Sequence, residues 1–157
     1  LANPPKQKLI DELMLAVTDL QNASDVADQA ISDSLGLNRT DARCLSCLIT
    51  RGPMTAGELA ETAGLKPGAL TFAVDRLREA GFAERAPDQR DRRRIIIAAS
   101  DKARHLAEQV WGQTIAEAQT QLDRYTSAQL KLLTGFVREQ VELQQQQAHR
   151  IRTWNGR

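Results

Sequence analysis

Apolar residues Leu9, Ile10, Leu13, Met14, Val17 and Leu20 recur at the three- and four-residue spacing of one helix face. The pattern continues more weakly through Ala23, Val26, Ala27, Ala30 and Ile31. Asn3 with Pro4 and Pro5 offers a start, and Gly36 a stop, for a long first helix. A second helix is predicted behind a cap at Asn38 or Thr40, with Ala42, Cys44, Leu45, Leu48 and Ile49 as its stripe and Gly52-Pro53 as its breaker. A short third helix follows over 56–63, with Leu59 and Ala60 inward. A fourth runs from Pro67 to Ala80 with Leu70, Val74 and Leu77 buried, and Gly81 closes it.

The period then changes from 3.6 to 2. Residues 82–86 and 94–99 read as two short strands around the polar loop PDQRDRR. Ser100 or Asp101 caps a fifth helix with the stripe Leu106, Val110, Ile115, Ala118 and Leu122. Thr126 and Gln129 form a capping box for a sixth, which carries Leu130, Leu133, Phe136, Val137 and Val141. The predicted fold is mostly α with a small β-hairpin. Residues 1–36 and 101–157 form long terminal helices around a central lobe, 37–100. The terminal stripes are too long for so small a lobe to cover, so they need each other and a second chain.

Composition narrows the class. The chain has 157 residues and an apolar fraction of 41%, enough for a real core. No apolar run approaches the ~20 residues of a membrane span. The N-terminus shows no secretory signal pattern. Two cysteines three residues apart are no disulfide framework, and a cytoplasmic setting is expected. The net charge of +1 hides an asymmetry. Residues 9–41 hold seven acids and one base, whereas residues 65–104 hold ten bases and six acids. Charge alone leaves two readings open, a phosphate-binding face or an arginine-rich solvated surface.

Residues 56–80 tilt the balance. Ala60, Gly64 and Leu70 have the spacing of a helix-turn-helix. A small residue lets the helices cross, a glycine takes the left-handed turn, and a leucine packs back. The second helix then presents Lys66, Gly68, Ala69, Thr71, Phe72, Asp75 and Arg76 outward or near its N-terminus, where a recognition helix reaches base edges. Two strands follow directly, with Arg90, Asp91, Arg92, Arg93 and Arg94 at their tip. Helix-turn-helix plus basic hairpin is a winged helix, and a wing arginine can enter a narrow minor groove.

The stretch from Leu65 to Phe82, LKPGALTFAVDRLREAGF, resembles the recognition helix of the MarR family of bacterial transcription regulators. Asp91-Arg92-Arg93, an apolar strand, and Ser100-Asp101-Lys102-Ala103 resemble that family's wing and fifth helix. Phe72 stands where a polar or basic residue is common there, and Ser100 and Ala103 replace the more usual Thr and Gly. The resemblance implies a homodimer built from the first and last helices, a palindromic double-stranded operator, and a ligand pocket between the dimer helices and the DNA-binding lobe. It implies DNA contacts from Lys66, Gly68, Ala69, Thr71, Phe72, Arg76, Arg90, Arg92 and Arg93. Gly64, Gly81 and Asp91 shape the turns. The expected function is repression relieved by a small aromatic or amphipathic effector, with Trp111 as a pocket candidate.

Other chemistry is sparse. Cys44 and Cys47 lie inside a helix, with no other cysteine or nearby histidine to complete a metal site. One of them is expected to face the core and the other a helix interface. A redox-responsive regulator of the same fold acting through these cysteines is one alternative, and a winged-helix protein-interaction module is another. His105 and His149 are the only histidines, and no nucleotide-binding or hydrolase motif occurs. No enzyme, metal or cofactor is predicted.

Overall fold

Local capping chemistry sets the helix boundaries. The computed structural model of the chain describes residues 5–88, 91 and 94–154. Helix α1 (Lys6–Leu35) begins after Pro5, while Asn3 and Pro4 lie outside the described residues. It ends at Gly36, whose φ of 63° lets the amides of Gly36 and Leu37 return to the carbonyls of Asp33 and Ser32. For α2 (Arg39–Arg51), Asn38 is the cap and accepts the Asp41 N–H at 3.0 Å, which leaves Thr40 inside the first turn. Thr55 and Glu58 form a full capping box on α3 (Ala56–Ala63). Pro67 opens α4 (Pro67–Glu79). Helices α5 (Asp101–Leu122) and α6 (Ser127–Thr153) follow the hairpin, and α6 carries the Thr126–Gln129 box.

The hairpin strands are β2 (Ala83–Pro87) and β3 (Ile95–Ala99), paired antiparallel from Ala83 opposite Ala99 to Pro87 opposite Ile95. A third strand, β1 (Met54–Thr55), joins the far edge of β3, giving the order β1-β3-β2. Two residues cannot show a period, so this strand has no sequence signature. It ties the start of α3 directly to the wing.

The chain divides into two compact units, Leu1–Val110 and Trp111–Arg157, with the boundary inside α5. In the first unit the core gathers Cys44, Leu45 and Leu48 of α2, Leu59 and Ala63 of α3, Leu70, Ala73, Val74 and Leu77 of α4, and Phe82 and Ile97 from the sheet region. Leu59 and Leu77 are wholly inaccessible. Cys47 is half-buried and packs against the edge of this cluster. Along most of α1 the apolar side chains stay exposed, including Leu13, Met14, Leu20 and Val26. In the second unit α6 has no fully buried residue, and Leu132, Leu133, Val137 and Val141 are exposed. No helix among the described residues is long and apolar enough to cross a membrane.

Leu77 makes the core testable. Leu77→Ala should cost about 2–5 kcal/mol in urea unfolding, because α4 is pinned on several sides and collapses little into the cavity. A loss under about 1 kcal/mol would show that this position is not the tightly packed centre described here.

Candidate nucleic-acid interface

Helices α3 and α4 are joined by a turn whose backbone demands glycine. Gly64 has φ 66°, and its N–H reaches the Glu61 carbonyl while Leu65 N–H reaches that of Ala60 at 2.8 Å. Ala60, small and buried, stands where the two helices meet, and Leu70 turns inward. The opposite side of the first two turns of α4 stays in solvent: Gly68, Ala69, Thr71 and Phe72 are all exposed. Lys66 holds the N-cap position with an extended backbone and no side-chain cap bond. Thr71 donates its hydroxyl to the Pro67 carbonyl at 3.1 Å.

The other end of α4 is anchored by charge. Asp41, in the first turn of α2, is 2% exposed. Arg76 clasps it with two parallel bonds, Nε to Oδ2 at 2.8 Å and Nη2 to Oδ1 at 2.6 Å. Asn38 donates from Nδ2 to the same carboxylate at 2.8 Å. The bonds to Asp41 raise the Arg76 pKa above its ordinary value. The sequence pattern groups Arg76 with the base-facing residues; the fold commits two guanidinium nitrogens to Asp41. From the same helix, Arg43 reaches the Ala63 carbonyl at the end of α3. Helix α2 thus holds both members of the helix-turn-helix.

The wing is fastened to the same unit at two points. Arg94 reaches Glu58 of α3 at 3.4 Å, and Arg85 of β2 reaches Asp75 of α4 at 3.2 Å, with Arg78 beside Asp75. Its loop is narrowed by Asp88 N–H to Arg94 O and Arg94 N–H to Asp91 O, each 2.9 Å. Glu58 accepts the backbone N–H and the hydroxyl of Thr55, and Arg94 adds its charge, so its carboxyl is held below the ordinary glutamate range. Arg90, Arg92 and Arg93 lie outside the described residues. Gly81, at φ 75°, ends the α4 turn, and its carbonyl accepts the Ser100 hydroxyl at 2.7 Å. Lys102 donates to the Ala80 carbonyl and lies 4.4 Å from the Phe82 ring centroid.

Neither cysteine is set up as a nucleophile. Burial chiefly pushes the Cys44 thiol up to about 11, and burial also raises that of Cys47. Among the described residues no group of three or more His, Cys, Asp or Glu could hold a metal ion. Trp111 is half-buried on α5, and a groove of about 710 Å³ beside the wing, edged by Glu58, Glu84, Asp88, Asp91, Arg94 and Arg104, does not include it. The pattern of apolar positions does not disclose Asp41, Glu58 or Asp75 as anchors. The Thr55-x-x-Glu58 spacing alone carried a readable sign, that of a capping box.

A model of the MarR family matches residues 37–95. An uncharacterized HTH-type transcriptional regulator of Bacillus subtilis (strain 168), YcgE, is 34% identical over 125 residues, 79% of this chain and 80% of that protein. The HTH-type transcriptional regulator MT0903.1 of Mycobacterium tuberculosis (strain CDC 1551 / Oshkosh) is 30% identical over 123 residues, 74% and 81% of the two chains. Among solved structures, a MarR family protein from Bacillus stearothermophilus superposes with a TM-score of 0.61 at 17% identity, covering 90% of this chain and 99% of that one. NadR in complex with 4-hydroxyphenylacetate gives a TM-score of 0.60 at 18% identity, covering 88% and 96%. At these identities the structural matches establish the fold.

The Asp41–Arg76 clasp should behave as one unit. Asp41→Asn and Arg76→Gln should each lower the melting temperature, and the double variant should melt no lower than the worse single one. Fully additive losses would show that the two side chains act independently. The Glu58 contacts carry a pH signature. With a depressed folded-state pKa, their contribution is complete at neutral pH and is lost as pH falls through that value. The stability advantage of wild type over Glu58→Gln should therefore vanish on acidification below the ordinary glutamate range; an advantage that persists there would refute it.

Proposed function

The chain belongs to the MarR family of transcriptional regulators, and from that premise we propose that it is a homodimeric repressor of a palindromic operator, relieved by a small aromatic or amphipathic effector. The observation that carries this reading is the solvent-facing N-terminal half of α4, presented by a helix-turn-helix whose other faces are buried or clasped. In this proposal residues 37–100 are the DNA-binding lobe, and residues 1–36 and 101–157 are dimerisation elements. Lys66, Gly68, Ala69, Thr71 and Phe72 enter the major groove. Arg90 and Arg92 contact phosphates, Arg93 enters the minor groove, and Asp91 orients the tip. Arg76 acts as a positioning residue through Asp41. The exposed apolar stripes of α1 and α6 support the dimer, since a second copy offers matching surfaces for both. Trp111 is the candidate effector contact. Burial of Cys44, which disfavours its thiolate, supports a ligand over an oxidant as the signal.

A two-fold dimer spaces its recognition helices by about one turn of B-DNA, so half-sites should be centred ~10 bp apart. Footprinting on duplexes selected by the protein from a random pool should show two symmetrical protected regions, and a single unsymmetrical one would sink the dimeric reading. On the same duplex, Arg93→Ala should cost ~1–3 kcal/mol and relax preference for A·T flanks. Wild-type affinity of Arg93→Ala on both A·T-rich and G·C-rich flanks would remove the wing from the interface.

A further inference from the structure

Phe72 is 69% exposed at the centre of the outward face of α4, whereas Phe82, just past the end of that helix, is buried. Around it stand Gly68 one turn earlier, Ala69 and Thr71, all exposed. Nothing in the fold requires a glycine at 68: its φ is not positive, and a Cβ there would meet nothing within 4 Å. The missing side chain leaves open space on the solvent side, beside Phe72, as a close approach of another molecule to the helix backbone requires. The hydroxyl proton of Thr71 is spent on Pro67. Of the longer polar side chains of α4, Arg76 is engaged with Asp41, and Asp75 with Arg78 and Arg85.

Between Gly68 and Ala73 this face therefore lacks the chemistry of bidentate base reading. Guanine is read by Arg or Lys, adenine by Asn or Gln, and cytosine by Asp or Glu, and none of these stands between Gly68 and Ala73. What the first two turns offer is methyl, aromatic and bare backbone surface. The one apolar group that base pairs display in the major groove is the thymine 5-methyl. An exposed phenylalanine gains by burial against it. The positive end of the helix dipole and Lys66 at the N-cap bring the anionic duplex to the same end of α4.

We propose that Phe72 is a specificity-determining residue that reads thymine 5-methyl groups in each half-site, with Gly68 and Ala69 allowing the close approach. This rests on the DNA-binding reading above and adds to it the chemical group that is recognised. Sequence choice at the positions facing Phe72 then comes from apolar contact, and hydrogen bonding to base edges contributes little there.

The test uses the full chain and duplexes enriched by wild type from a random pool. Half-site thymines are replaced one at a time by deoxyuridine, which removes the methyl and leaves every base-pair hydrogen bond. At the contacted position wild type should bind the uracil duplex about fourfold more weakly, the worth of one buried methyl-sized group. Phe72→Ala should bind the thymine duplex about 15- to 60-fold more weakly, the worth of two to three such groups, and should no longer distinguish thymine from uracil. Phe72→Leu should keep the distinction. Since the side chain is exposed, the alanine variant is expected to fold, and a helical circular-dichroism spectrum and melting temperature matching wild type verify it. Equal wild-type affinity for thymine and uracil duplexes, or a thymine preference surviving in Phe72→Ala, overturns the proposal while DNA binding stands. Enrichment of no sequence at all, with Phe72 instead required for a protein contact, overturns the DNA-binding reading and this inference with it.

Discussion

A single buried carboxylate sets the geometry of the DNA-binding unit. Asp41 is almost fully removed from water, and a bare charge there would be costly; Arg76 and Asn38 together satisfy it. The desolvation of such a pair offsets most of its Coulomb gain, so its chief effect is orientation and not net stability. Two parallel bonds fix the last turns of α4 against the first turn of α2. Because α4 is a stiff rod, fixing one end aims the other. The exposed N-terminal face, with Phe72 at its centre, takes its direction from a contact several residues away along the helix.

The same economy governs the remaining charges. The raw count over residues 65–104 suggests a broad cationic surface, yet Arg76, Arg78, Arg85, Arg94, Lys102 and Arg104 are each bonded within the unit. Arg76 and Lys102 join helix to helix, Arg85 and Arg94 join wing to helix, and Arg78 and Arg104 pair with acids on their own helices. Most of the described bases in this stretch are thus spent inside the unit, and the raw count overstates the cationic surface. Charge here mainly fixes relative orientation, and that leaves the first turns of α4 with apolar groups to present.

Apolar exposure occurs in two forms with different physical meanings. On α1 and α6 it runs in helical stripes many turns long, the pattern of a surface meant for another helix. On α4 it is a single aromatic ring on an otherwise small-residue face. A stripe needs a partner of similar length. An isolated ring beside an exposed glycine needs only a shallow partner that comes close to the backbone.

Local regularity made much of this protein legible in its residues. The helix stripes, the Gly64 and Gly81 stops, the change of period into the hairpin and the Thr126–Gln129 box depend on neighbours a few positions apart. Six helices and two strands could therefore be placed from spacing alone, with hairpin strands displaced by about one residue. Strand β1 was beyond that reach, since two residues make no pattern and its pairing with β3 joins positions more than forty apart. The partners of Asp41 and Glu58 were hidden for the same reason: each meets its arginine across some 35 residues. In the sequence Arg76 and Arg94 look like free cations. Only the folded backbone, by bringing α2 onto α4 and the wing onto α3, decides which charges are spent inside and which side chains are left for a partner.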